Sequence, residues 1–180
     1  MSKVILNKTE IARAMDRIAY EIVEHNQELE DLVIIGIRTR GVALAERLQK
    51  LLNKITNKII PLGVLDITLY RDDLALSNKQ PLVRKTKIPF DIENKVIILV
   101  DDVLFTGRTI RAAMDALMDL GRPQAIKLAI LVDRGRRELP IHADYTGRVI
   151  PTSKEETVAV NLTECDKEDK VKIISSNTKK

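Results

Sequence analysis

Tryptophan is absent, and aromatic residues make up only 3% of the chain. The core must therefore be assembled from Ile, Leu, Val and Ala. So few rings exclude a single-strand nucleic-acid binder that works by stacking bases on aromatic platforms. There is one cysteine, Cys165, in a polar C-terminal stretch. An intrachain disulfide framework and a Cys-rich zinc site are both excluded. His25 and His142 are the only histidines, which excludes a His-rich metal site. No apolar leader and no long apolar run is present, so a cytoplasmic protein without a membrane partner is expected.

What is there fits one domain over residues 1–180 with a sizeable core. Hydrophobic residues are 44% and charged residues 31%, an ordinary globular balance. Lys and Arg exceed Asp and Glu by 30 to 26. That excess suits an anionic partner, and it equally suits a solvated surface with the basic end Lys179-Lys180.

Asn7-Lys-Thr-Glu10 has the form of a capping box and predicts a helix to about Gln27. Ile11, Met15, Ile18 and Ile22 recur at helical spacing on one face. Arg13, Asp16, Arg17, Tyr20 and Glu24 fall on the opposite face. Leu32–Ile37 reads as a buried strand, Gly36–Gly41 as a loop, and the next stretch as a helix with Leu44, Leu48, Leu51 and Ile55 inward. Ile59–Tyr70 reads as a strand broken near Pro61-Leu-Gly63. Residues 71–94 are polar, with Pro81 and Pro89, and long for a plain connection. Val96–Val100 is a buried strand, Thr109–Leu120 a helix closed by Gly121 and Pro123, and Ile126–Val132 a third buried strand. Shorter strand patterns lie near Val149, at Thr157–Leu162 and at Val171–Ile174. Continuous apolar strands alternating with helices imply an α/β fold with a mainly parallel, twisted sheet flanked by helices. Ligands gather at the carboxyl ends of such strands, which here carry residues 36–41, 101–109 and 133–135.

The strand Val96–Val100 runs into Asp101-Asp102, followed by Thr106-Gly107-Arg108-Thr109 at a helix start. Free N–H groups, the helix dipole, a glycine and two hydroxyls make a phosphate cradle. Neither a Walker loop nor a Gly-x-Gly-x-x-Gly fingerprint is present. Alone, Thr-Gly-x-Thr also reads as an ordinary helix start. Two carboxylates beside a phosphate would repel it, unless the same molecule brings hydroxyls or a cation. A ribose phosphate brings hydroxyls, and Mg²⁺ tolerates carboxylates through its own water shell.

The stretch Val96–Thr109, VIILVDDVLFTGRT, resembles the 5-phosphoribosyl 1-pyrophosphate (PRPP) motif of type I phosphoribosyltransferases. Asp66–Leu74 (DITLYRDDL), Leu131–Gly147 (LVDRGRRELPIHADYTG) and Ile150–Val158 (IPTSKEETV) narrow the resemblance. They are similar to a family that is both pyrimidine (pyr) operon regulator and uracil phosphoribosyltransferase. The resemblance spans nearly the whole chain. It implies the type I phosphoribosyltransferase fold with a small hood, a flexible loop over about 71–94 and a C-terminal tail over about 175–180. It implies that uracil and PRPP give UMP and pyrophosphate, with Mg²⁺ accompanying PRPP. Asp101 and Asp102 would take the ribose hydroxyls. The stretch Val103, Leu104, Phe105, Thr106, Gly107, Arg108 and Thr109 would line the PRPP/UMP site, with Leu104–Thr109 on the 5′-phosphate. Thr39 and Arg40 would hold pyrophosphate, with Arg71 and Arg84 reaching over it. Arg134 and backbone near Val158 would lie on the nucleobase side. Arg40, Arg71, Asp101 and Asp102 would carry catalysis, Mg²⁺ meeting the acids through water. A homodimer or an assembly of dimers is implied.

The regulatory half of the resemblance implies binding to the pyr leader mRNA in response to uridine nucleotides, through Arg13, Arg17, Arg136 and Arg137. The pattern departs from the family there. Asp16 and Tyr20 stand where RNA-binding relatives have a hydroxyl residue and a histidine, Arg136 replaces a usual His, and His142 a usual Arg. An enzyme with weakened or lost RNA binding is the alternative. A phosphoribosyltransferase for a purine or for orotate is a further one, because base choice depends on pocket shape.

Overall fold

A computed structural model describes residues 2–26, 29–70 and 85–175. Its elements are β1 (Ser2–Leu6), α1 (Lys8–His25), β2 (Leu32–Ile37), α2 (Arg40–Thr56), β3 (Leu62–Leu65), a 3-10 turn (Thr68–Tyr70), β4 (Val96–Leu104), α3 (Arg108–Met118), β5 (Ala125–Asp133), β6 (Tyr145–Val149), β7 (Glu156–Asn161), α4 (Thr163–Asp166) and β8 (Lys170–Ser175).

Five strands form one sheet in the order β3-β2-β4-β5-β6, and every adjacent pair in it is parallel. The apolar runs account for this. All six residues of β2 are buried, so both faces need cover, and helices supply it. One core packs α1, α2 and the small sheet against one face. The other packs α3, Ile67 and Ile92 against the opposite face. The chain leaves β2 outward to β3 and returns on the far side as β4. The β2/β4 junction is thus the point where strand order reverses, the usual ligand crevice of an open α/β sheet.

The second sheet is three-stranded and antiparallel, in the order β1-β8-β7. It is the hood. Strand β1 has no counterpart in the sequence reading. Its residues are mostly exposed, and only Leu6 is deeply buried, so its alternation is too weak to signal a strand. The hood forms because distant chain ends meet.

The strand expected over Ile59–Tyr70, broken near Pro61-Leu-Gly63, is only Leu62–Leu65 with Gly63 inside it, followed by the 3-10 turn Thr68–Tyr70. Three further expectations need correction. Strand β4 does not stop at Val100; it carries Asp101 and Asp102 and ends at Leu104. The ladder with β2 ends at Gly36–Val100, while that with β5 continues to Leu104–Asp133. The acids are held on one side and released on the other. In α2 the buried face is Leu44, Leu48 and Leu52, while Leu51 and Ile55 are only partly covered. Third, residues 85–94 are tied down rather than part of a free loop. Val64 and Lys87 exchange backbone bonds of 2.8 Å, Arg38 Nη2 reaches Lys85 O at 3.3 Å, and Ile92 is buried. The rest of that loop, with Arg71 and Arg84, and the tail 176–180 lie outside the described residues.

Candidate active site

The acid pair sits at the strand junction. A Cβ at Gly41, one residue into α2, would stand 2.5 Å from Val100 O and 3.2 Å from Asp101 Oδ1. Only glycine lets the start of α2 press against the end of β4, so the Thr39–Arg40 turn and the acids share one site. Asp101 is 7% exposed and accepts from Asp102 N at 2.9 Å. Asp102 Oδ1 accepts from Val103 N at 2.9 Å. Burial pushes the Asp102 carboxyl above its ordinary range, against the opposing pull of Asp101 and Arg40. A desolvated carboxylate suits a hydroxyl partner.

Helix capping separates structural from functional ends. Helix α1 begins away from the site with a complete capping box: Asn7 Oδ1 accepts Glu10 N at 3.0 Å and Asn7 N donates to Glu10 Oε2 at 2.8 Å. Helices α2 and α3 begin at the site with no side-chain cap. Of their first N–H groups, Arg108 N meets Thr106 Oγ1 at 3.3 Å; those that follow, with the helix dipoles, can face an anion. At α3 the turn is made by Gly107 at φ +94°. The loop is held from behind. Glu138 N and Leu139 N donate to Thr106 O at 2.9 and 3.0 Å, and Arg137 Nη1 donates to Phe105 O at 2.9 Å. Arg108 Nε pairs with Glu138 at 2.8 Å. Val103, Leu104, Phe105, Thr106, Gly107, Arg108 and Thr109 therefore form a braced strand-to-helix turn.

Arg134, placed on the nucleobase side, is 6% exposed. Its Nε donates to Thr152 Oγ1 at 2.8 Å, and Nη2 donates to Ser153 O at 3.0 Å and Glu156 O at 2.6 Å. Its guanidinium lies 4.0 Å over the Phe105 ring. Burial lowers its pKa from the ordinary arginine value. It links the strand-to-helix turn after β4 to the hood, whose β7 carries Val158 opposite Ile173.

Arg40 is paired with a residue the sequence reading missed. Its Nε and Nη2 donate to Asp166 at 3.1 and 2.7 Å, the fork-to-fork geometry of a strong pair. One face further along, Arg47 holds Glu164 at 2.6 Å and Asp169 at 2.7 Å. A signal did exist. Arg40 and Arg47 stand two turns apart on one helix face, and Glu164, Asp166 and Asp169 make an acidic cluster.

The residues expected at RNA divide into two groups. Arg13 and Arg17 line one groove with Leu6, Glu10, Ala14, Gly147 and Arg148, so Arg148 joins them. Arg17 also pairs with Glu21 and donates to the Thr146 and Gly147 carbonyls. Asp16 is not between them in space; it lines a separate groove with Arg47, Lys50 and Leu51. Arg136 is exposed, with Nε on Thr152 O at 2.9 Å. Arg137 turns inward, onto Asp133, Phe105 O, Gly135 O and Ile141 O. Among the described residues no group of three or more His, Cys, Asp or Glu could cage a metal ion, and no helix is long and apolar enough to cross a membrane.

The profile of the phosphoribosyl transferase domain matches residues 1–165. The bifunctional protein PyrR of Pelotomaculum thermopropionicum is 55% identical over 96% of this chain and 95% of its own. The chain belongs to the PyrR branch of the phosphoribosyl transferase family. The PyrR proteins of Deinococcus radiodurans and Bacillus cereus are 57% and 58% identical over 94% of this chain, and 92% and 96% of theirs. Among solved structures, the hypoxanthine-guanine phosphoribosyltransferase of Bacillus anthracis superposes with a TM-score of 0.74 at 19% identity, over 96% of this chain and 98% of its own. At that identity the likeness concerns the phosphoribosyltransferase fold alone.

Proposed function

We propose that this PyrR-type chain transfers the 5-phosphoribosyl group of PRPP to uracil. The C1′–oxygen bond to pyrophosphate breaks, a C1′–N1 bond to uracil forms, and the N1 proton leaves. UMP and pyrophosphate are the products. The observation that carries this reading is the shared site of Asp101-Asp102, the uncapped start of α3 and the uncapped start of α2. The acids suit the ribose hydroxyls and the cationic character that grows at C1′. The α3 turn suits the 5′-phosphate, and Thr39 and Arg40 suit the departing pyrophosphate.

Magnesium fits this donor set. Two neighbouring carboxylates in a groove that also takes a diphosphate are hard oxygen ligands of the kind Mg²⁺ accepts through its water shell. Bound with PRPP, it would neutralise charge developing on pyrophosphate. Arg134 gives Nε and both N–H of Nη2 to Thr152, Ser153 and Glu156, so backbone near Arg134 and Val158 is the expected reader of the nucleobase.

The second half of the reading is regulation of the pyr operon in response to uridine nucleotides, by binding its leader mRNA. Arg13, Arg17 and Arg148 on one groove, with Arg136 exposed nearby in sequence to the site, support a phosphate-backbone contact. Asp16 lines a different groove from Arg13 and Arg17, which supports the contact, while Glu10 and Glu21 sit beside the two arginines. Arg137, engaged internally, serves the site rather than RNA. A cytoplasmic homodimer, or an assembly of dimers, completes the reading.

The test is a competition assay. Uracil, hypoxanthine, adenine and orotate are offered together with PRPP and Mg²⁺, and products are resolved by chromatography. UMP alone is expected, and another nucleotide in excess overturns the base assignment. Binding to a pyr leader hairpin, with and without UMP across several salt concentrations, tests regulation. Affinity that UMP does not change leaves the enzyme alone.

A further inference from the structure

We infer that Asp166 of the hood is a positioning residue for Arg40: it holds the guanidinium out toward the pyrophosphate of PRPP and away from the ribose acids. The inference rests on the assignment of Thr39-Arg40 to pyrophosphate.

Arg40 opens α2 within the electrostatic reach of Asp102. Without another partner, a long cationic side chain beside a buried carboxylate collapses onto it. That would occupy Asp102, which the ribose needs. Asp166 prevents this by taking Nε and Nη2 in a two-pronged pair. An arginine has five N–H donors; this pair uses one on Nε and one on Nη2. Both N–H of Nη1 and the second of Nη2 remain for an anion.

Asp166 is itself fixed. Its Oδ2 accepts Leu162 N at 3.0 Å, and its own N donates to Leu162 O at 2.6 Å. Helix α4 is anchored to α2 through Arg47, which grips Glu164 and Asp169. The two ion pairs differ in surroundings. The Asp169 side chain is 6% exposed, a buried lock. The Arg40 and Asp166 side chains are 38% and 18% exposed, open to an incoming ligand. One pair fastens the hood, and the other aims a donor.

The difference provides the experiment. Asp166→Asn, Asp166→Glu and Asp169→Asn are compared with the parent chain in steady-state kinetics, in calorimetric binding of magnesium pyrophosphate, and in thermal unfolding. Asp166→Asn should raise the KM for PRPP and weaken pyrophosphate roughly tenfold, as misplacement of a binding group does. The KM for uracil and the unfolding midpoint should hold, and Asp166→Glu should restore part of the loss. Asp169→Asn should lower the midpoint and weaken pyrophosphate less than Asp166→Asn does, because the Arg47–Glu164 pair still ties α4 to α2. Unchanged PRPP and pyrophosphate constants in Asp166→Asn overturn the inference. So does a pattern in which both Asn variants lose stability and both substrates together. A parent chain that forms no nucleotide but binds pyrophosphate, with Asp166→Asn weaker, refutes the transferase reading and keeps Asp166 as the positioner. A parent chain that binds neither PRPP nor pyrophosphate refutes both.

Discussion

The guanidinium of Arg134 lies 4.0 Å from the centroid of the Phe105 ring, and its donors reach across to Thr152, Ser153 and Glu156. One side chain therefore joins the strand-to-helix turn after β4 to the hood. Arg134→Lys keeps the charge but loses the planar fork. It should lower the unfolding free energy by about 2 kcal/mol, the scale of a buried charged hydrogen bond lost. Urea denaturation measures this. In a double-mutant cycle with Phe105→Ala, a coupling of about 1 kcal/mol is expected from the cation–π contact; zero coupling would show that the ring is merely adjacent.

Gly107 has φ +94°, and a Cβ there would stand 3.3 Å from both Leu139 Cβ and Ile141 Cδ1. Gly107→Ala combines backbone strain with crowding by two side chains. A cost of about 1–2 kcal/mol is expected, together with weaker binding of ribose 5-phosphate in calorimetry. Gly135, at φ +73° with open space around it, is the control: its alanine variant should lose some stability through strain and keep ribose 5-phosphate affinity.

Asp102 has a carboxyl whose pKa burial has raised. Its ionised form is therefore less favoured folded than unfolded. It lowers stability at neutral pH, and that loss is relieved as pH falls through the raised folded pKa. Asp102→Asn should hold or slightly raise the unfolding midpoint of the ligand-free protein while nearly abolishing UMP formation. In the parent chain the acid limb of kcat/KM for PRPP should lie above the ordinary carboxylate range. A marked fall in midpoint for Asp102→Asn would contradict this account.

Asp169 behaves oppositely. Burial raises its pKa, but hydrogen bonds from Arg47 and Thr163 overcome that and bring it down to about 2. A depressed carboxylate contributes stability above its unfolded pKa of ~3.9, and that contribution is lost as pH falls through the folded value. Hydrogen-exchange protection factors on β7 and β8, corrected for the intrinsic pH dependence of amide exchange, should therefore fall between about pH 4 and pH 2. Asp169→Asn should show fast hood exchange already at neutral pH.

How much of this was legible in the residues varied with the physics. The buried parallel strands announced themselves, because both faces of β2 and β4 are apolar. Asp101, Asp102 and the Thr106–Thr109 turn were equally plain, because acids after an apolar strand and a glycine before a helix are rare together. The hood was harder. Strand β1 is exposed along most of its length and gains order only from β8, some 170 positions away in sequence. The end of β4 was misplaced because sequence shows polarity but not which neighbour strand continues. The Arg40–Asp166 pair needed two acid and base clusters to be read against each other over 126 positions. Asp16, Arg13 and Arg17 looked like one surface on a helical wheel, and the packing of α1 between α2 and β6 sorted them into two.

The contrast between the completed start of α1 and the open starts of α2 and α3 has a thermodynamic consequence. The starts of α2 and α3 carry no side-chain cap, and on the proposed assignment PRPP would complete both ends and UMP the α3 end alone. The ligand is then a piece of secondary structure that arrives from solution. By mass action, anything that binds only the folded state raises its stability with the logarithm of concentration. The rigidity of this chain should track the nucleotide around it, so the protein reports on its own substrate before any bond is made.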